Sequence, residues 1–182
     1  MKITETNLRG VLLIQPGIFN DARGYFSETY HANRYKENGI DLDFVQDNIS
    51  VSKKGTLRGL HYQIPPKAQG KLCQVLKGCV LDVAADIRFG SPTFGKYAVV
   101  ELSAENHTQI LIPPGFAHGF VVISDEAVFS YKCSNFYSKE HERTIRFDDP
   151  DLNINWGIEN PIISEKDRTA GFFKDIERDF IF

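Results

Sequence analysis

The chain has 182 residues, 42% hydrophobic and 25% charged, with a formal net charge of −3. That length suits one domain over residues 1–182 with a real core. The slightly acidic balance removes any electrostatic case for nucleic acid, no basic run addresses an anionic membrane, and no apolar run approaches the ~18 residues of a membrane span. Three cysteines, Cys73, Cys79 and Cys133, form no C-x-x-C pair, and the N-terminus lacks the apolar core of a signal peptide. An odd thiol count without a secretion signal points to a reducing cytoplasm.

Short strand-like runs broken by turns fill the chain. Strands are expected over 8–14, 24–30, 44–52, 57–63, 71–77, 79–87, 97–102, 109–112, 119–123 and 128–134. Gly and Pro punctuate them, at Gly55, Pro65-Pro66, Gly78, Gly90 and Pro113-Pro114-Gly115. Many short strands at such spacing argue a sandwich or small barrel. In 79–87, Leu81, Val83, Ala85 and Ile87 alternate with Asp82 and Asp86, which reads as a half-buried strand with one apolar face. Helical signal is weak: 31–38 reads as one short helix stopped by Gly39, and Ser164 with Asp167 three residues on resembles a capped helix start. The turn-rich span 148–161 is expected to wrap over the body.

Two constellations carry chemistry. Gly55, His61, Gln63, Lys71 and Gly78 keep the spacing of the first cupin motif, with Gln63 where a second histidine normally stands and Lys71 where an acid does. Pro113, Gly115 and His118 fit the second motif, P-x-G-x-x-H. In register together, they predict an all-β fold, a cupin-type double-stranded jelly-roll barrel with a few short peripheral helices and a site in the barrel mouth. Only two of the four usual ligand places hold histidine, and a lysine ammonium repels a cation. No metal and no cofactor are therefore expected. Arg58, His61, Gln63 and Lys71 place polar groups in apolar strands, which is costly unless they are paired or functional. Regular alternation puts Arg58 and His61 on opposite faces. Either Gly59 permits a bulge that re-aims one of them, or Arg58 works from a strand end or a subunit boundary.

Further markers run almost the whole length of the chain: Asp21-Ala-Arg23-Gly-Tyr-Phe26-Ser-Glu28, Phe44-Val-Gln46-Asp47-Asn48, Leu57-Arg58-Gly-Leu-His61-Tyr-Gln63, Ser91-Pro-Thr-Phe-Gly95, Tyr131-Lys-Cys133 and Ser164-Glu-Lys166-Asp167. With them the sequence resembles the dTDP-4-dehydrorhamnose 3,5-epimerases. The resemblance implies metal-free inversion at C3 and C5 of a dTDP-4-keto-6-deoxy-hexose on the route to dTDP-L-rhamnose. A C4 ketone acidifies the neighbouring C–H bonds, and a base and an acid on opposite faces exchange the proton.

By resemblance His61 is the general base, Asp167 its orienting partner, Lys71 the cation beside the enolate oxygen and Tyr131 the proton donor. The same route assigns Arg23, Arg58, His118 and Lys166 to the diphosphate, and Phe26 and Glu28 to the thymine and nearby groups. Gln46 and Asn48, which share strand parity, fall to sugar or phosphate; Asp47 lies within their marker, and Glu142 matches a position of the family's site. Family members are homodimers that lend an N-terminal strand, so Arg23, Phe26 and Glu28 would serve the partner's barrel. The alternatives are a single-centre (C3 or C5) epimerase, a 3,4-ketoisomerase and a non-catalytic nucleotide-sugar-binding cupin. Departures from the family pattern, at Ser27, Gln74 and the tail after Asp167, leave the four catalytic candidates in place.

Overall fold

The computed structural model describes residues 1–182. In chain order it has β1 (Lys2–Glu5), β2 (Leu12–Gln15), β3 (Ile18–Asp21), β4 (Gly24–Ser27), helix α1 (Ala32–Glu37), β5 (Gln46–Lys53), β6 (Leu57–Gln63), β7 (Lys71–Lys77) and β8 (Cys79–Asp86). There follow β9 (Tyr97–Ser103), β10 (Gln109–Ile112), β11 (Phe116–Val122), β12 (Glu126–Cys133), β13 (Glu142–Thr144) and helix α2 (Glu165–Arg168). A six-stranded sheet in the order β1-β2-β10-β7-β12-β5 faces a five-stranded sheet in the order β13-β6-β11-β8-β9, with β3 and β4 forming a separate hairpin. Every pairing between strands is antiparallel. This is the expected all-β jelly roll with two short peripheral helices.

Alternation along the strands builds three apolar layers. Between the sheets lie Cys73, Val75, Ile110, Ile112, Phe120 and Phe129. The Phe120 and Phe129 rings stack at 4.1 Å, and a fully buried phenylalanine such as Phe129 contributes roughly 2–3 kcal/mol. A second layer covers the outside of the five-stranded sheet, where Leu57, Leu60, Val83, Ala85 and Val121 pack under Ile145, Leu152, Trp156 and Phe173 from the C-terminal third. In the third, Tyr35 of α1 packs with Ile40 against Leu72 and Leu111 on the outside of the six-stranded sheet.

The second layer corrects the expectation for β8. Both faces of that strand are covered, and Asp82 and Asp86 are fully buried. The apolar residues Val83 and Ala85 face the C-terminal wrap, so the acids point between the sheets. Strand β11 starts at Phe116, three residues before the expected start, and carries His118 within it. The Ser164 cap is formed as read, its Oγ accepting from the Asp167 N–H; at α1 the structure adds a cap that was not read, with His31 Nδ1 accepting from the Arg34 N–H.

The Arg58–His61 parity problem is resolved by a bulge. On β11, His118 pairs with His61 and Phe120 with Arg58, so two steps on one strand match three on the other. Gly59 sits in the bulge at φ +122°, and a Cβ there would lie 2.6 Å from the Gly119 Cα. Only glycine fits that approach. The extra residue turns Leu57 and Leu60 outward together, which leaves Arg58 and His61 on the inner side.

Candidate active site

The open end of the barrel holds a cavity of about 260 Å³ lined by Gln46, Asn48, His61, Lys71, Tyr131 and Glu142, among others. His61 is anchored from behind: its Nε2 lies 2.6 Å from Asp167 Oδ1. The carboxylate arrives on α2, where the Ser164 cap fixes its backbone, and the Gly59 N–H donates to its other oxygen at 3.5 Å. Burial raises the Asp167 pKa, but the hydrogen bond and charge of His61, with the Gly59 and Ser164 contacts, outweigh it and hold the carboxyl below its ordinary value. His61 Nδ1 has no protein partner, and 30% of the side chain is exposed. The arrangement leaves one ring nitrogen free to take a proton from something in the cavity.

Lys71 is 9% exposed, with no carboxylate within ion-pair distance; its Nζ donates to the His61 carbonyl at 3.4 Å. Such a cation is aimed at whatever enters rather than neutralised by the protein. Tyr131 points between the sheets from β12, sharing parity with Phe129 and Cys133. Burial first, then the neighbouring thiols, push its phenol up to about 12, so the hydroxyl keeps its proton at neutral pH.

The rim is built from amides and one ion pair. Gln46 Nε2 donates to Asn48 Oδ1 at 3.1 Å, and Gln46 Oε1 accepts the Tyr137 N–H at 2.9 Å. Gln63 Nε2 donates to the carbonyls of Lys67 and Phe136, while its Oε1 accepts the Ser138 N–H. Glu142 lines the cavity, pairs with Lys166 and accepts the Tyr137 hydroxyl at 3.0 Å. Burial raises its pKa, but those two contacts bring it below the ordinary value. Arg58 and Lys166 lie together in an adjoining recess that shares His61 and includes Asp167.

Metal binding does not fit this donor set. At the four corners of the first and second motifs stand His61, Gln63, Lys71 and His118. The Gln63 amide is fully occupied by loop backbone, and an ammonium cannot ligate.

Two of the expected contacts need correction. His118 lies beneath the floor and not along the cavity wall: its side chain is 7% exposed, and Nε2 lies 2.9 Å from Asp82 Oδ2. Burial first of all lowers its pKa, against the raising effect of Asp82. A neutral imidazole is no cation for a diphosphate. Asp47 points outward, opposite in parity to Gln46 and Asn48, and pairs with Lys132 on the outer surface. Arg23, Phe26 and Glu28 lie on or beside the β3–β4 hairpin, where Arg23 pairs with Asp21 and Glu28 with Arg34; none of the three lines this chain's own cavity.

Sequence reasoning missed Tyr137 and Asp82. Tyr137 is 55% exposed at the cavity rim, beside an equally exposed Phe136. Two adjacent aromatics in a polar turn were the available signal. Asp82 was hidden by the alternation that made its strand look one-sided.

Known proteins match the chain over nearly its whole length. The family model for dTDP-4-dehydrorhamnose 3,5-epimerase matches residues 5–175. A dTDP-4-dehydrorhamnose 3,5-epimerase from Shigella flexneri is 51% identical over 178 residues, covering 97% of this chain and 98% of that protein. The crystal structure of the enzyme of that name from Elizabethkingia anophelis superposes with a TM-score of 0.92 at 53% identity, covering 96% and 97% of the two chains. The dTDP-6-deoxy-D-glucose-3,5-epimerase from Legionella pneumophila, solved in complex with dTDP-4-keto-L-rhamnose, gives 0.95 at 47% identity, covering 100% and 98%. With the motifs in order, the barrel formed and the relatives matched from end to end, the chain belongs to the dTDP-4-dehydrorhamnose 3,5-epimerase family.

Proposed function

We propose that the cavity binds dTDP-4-dehydro-6-deoxy-D-glucose and inverts it at C3 and C5 to dTDP-4-dehydro-L-rhamnose. One observation carries the reading: a histidine oriented by a buried carboxylate faces a cavity that also presents an unpaired ammonium and a protonated phenol. His61 Nδ1 takes the proton from the carbon beside the ketone. The C–H electrons move into the C4 carbonyl, and Lys71 stabilises the oxyanion of the resulting enolate. Tyr131 then delivers its proton to the opposite face of the same carbon. The imidazolium loses its proton to water and the phenolate regains one, which resets the site for the second carbon. Asp167 holds the tautomer of His61 and stabilises the imidazolium.

The cavity suits a sugar better than a whole nucleotide sugar, so the diphosphate continues outward. Arg58 and Lys166 in the adjoining recess are the cations for it. Gln46, Asn48 and Glu142 supply polar contacts at the rim, and Tyr137 offers an exposed ring to the base.

The active form is a homodimer in which Arg23, Phe26 and Glu28 reach the partner's site. The β3–β4 hairpin supports this, because it pairs only with itself and exposes Phe19, Tyr25 and Phe26. A lone two-stranded hairpin is marginal in water. The free edge of β5 and its exposed Ile49 and Val51 offer a neighbouring apolar surface. Mixing Arg23→Ala with His61→Ala subunits should restore activity that neither homodimer has. No helix is long and apolar enough to cross a membrane; the three free thiols and a nucleotide-sugar substrate support work in the cytoplasm.

Incubation with the 4-keto sugar nucleotide in D₂O, read by NMR, tests the function. Deuterium and inversion at both C3 and C5 are expected. Label at one carbon only would make the protein a single-centre epimerase, and a carbonyl moved to C3 would make it a ketoisomerase. Tight binding with no exchange would leave a binding protein.

A further inference from the structure

Asp82 and His118 form a second histidine–carboxylate pair that the mechanism above does not use. The two histidines are direct partners across β6 and β11, so the pairs lie side by side. Asp82 is fully buried on β8; Oδ2 meets His118 Nε2 at 2.9 Å, and Oδ1 has no partner at all. Cys73 Sγ, 4.0 Å from the same imidazole nitrogen, completes a cluster whose polar atoms all lie within 4.8 Å of one another.

An orphaned buried carboxylate oxygen calls for an explanation, because it carries a desolvation cost that no hydrogen bond offsets. Asparagine would have the same shape at lower cost. What a carboxylate does that an amide does not is to dictate which nitrogen of its histidine carries the proton. Asp82 accepts only, so Nε2 must donate, and Nδ1 is left with its lone pair. His118 Nδ1 has no protein partner, yet it is not among the sealed orphan atoms, and 7% of the side chain remains accessible. The ring is the cross-strand partner of His61, which sets it beside a group assigned to the chemistry.

We infer that Asp82 is a positioning residue of the epimerase reaction. It acts through His118, holding the ring as the Nε2–H tautomer so that Nδ1 accepts a hydroxyl of the bound sugar from the floor. The inference rests on the proposed function for its kinetic consequence, but the tautomer itself does not depend on that reading.

The test uses nitrogen-15 NMR of the histidine ring nitrogens, with His118 assigned by the signal lost in His118→Asn. In the ligand-free wild-type protein, a proton on Nε2 and a bare Nδ1 are expected; a proton on Nδ1 overturns the inference without any variant being made. In Asp82→Asn the ring should gain the Nδ1–H form, kcat should fall about 10–100-fold and KM for the sugar nucleotide should rise, while affinity for dTDP, which lacks the sugar, stays unchanged. Lost rate with an unmoved tautomer, or a moved tautomer with full rate, overturns the proposal, as does stoichiometric zinc held by Cys73, Asp82 and His118. If the wild type fails to epimerise, the function falls while the tautomer measurement still stands or fails by itself.

Discussion

The two histidine–carboxylate pairs are neighbours built from the same parts, and depth separates their roles. His61 meets Asp167 at 2.6 Å with 30% of its side chain exposed, whereas His118 meets Asp82 at 2.9 Å with 7% exposed. The outer pair can exchange protons with a ligand and with water. Burial lowers the pKa of the inner ring, which favours its neutral form. A His–Asp geometry is therefore not by itself a catalytic assignment; access decides which pair moves protons and which one holds a shape.

Breaking the outer pair should have the largest effect. His61→Ala is expected to reduce deuterium exchange at both carbons by about 10⁴-fold while calorimetry finds dTDP binding intact; full exchange in that variant would move the base elsewhere. Tyr131→Phe comes next. Inversion should fall by about 10²–10³-fold, with proton abstraction, read as exchange without inversion, affected less. Equal loss of both would count against the phenol as donor.

Asp167→Asn should lower kcat about 10–100-fold and also change stability against pH. The native carboxyl is held below its ordinary value, so its contribution is present above about pH 4, the ordinary carboxylate range, and is lost as pH falls through the native value. Urea midpoints of wild type and variant should converge on acidification below about pH 4; a constant gap would mean the pair is not what titrates. The smallest effect belongs to Asp47→Asn. Its surface ion pair with Lys132 is worth at most about 0.5–1 kcal/mol, and kcat should not change; a large loss of rate would return Asp47 to the site.

Most strand positions were legible because alternation and turn residues are local signals. Strands β6, β7 and β10 fall where the sequence puts them. The short outer strands β1, β3 and β13 were not read, since their few residues lie largely exposed or half-buried and lack the apolar run that marks the equally short β10. Lys71 illustrates the site: its place in a motif was clear, but its burial without a counter-ion depends on β6, β7 and β12 closing around it. Tyr137 was missed because loop residues 135–141 owe their position to Gln46 and Gln63, which are distant in sequence.

The sequence by itself determined the barrel, the family and the four catalytic candidates, because motif spacing and strand period are properties of the local chain. Only the tertiary structure decided which faces were inside. The C-terminal wrap covers the apolar side of β8 and turns Asp82 inward, and the Gly59 bulge brings Arg58 and His61 to one side. Those outcomes depend on what packs against a strand, and a strand's own residues do not encode its cover.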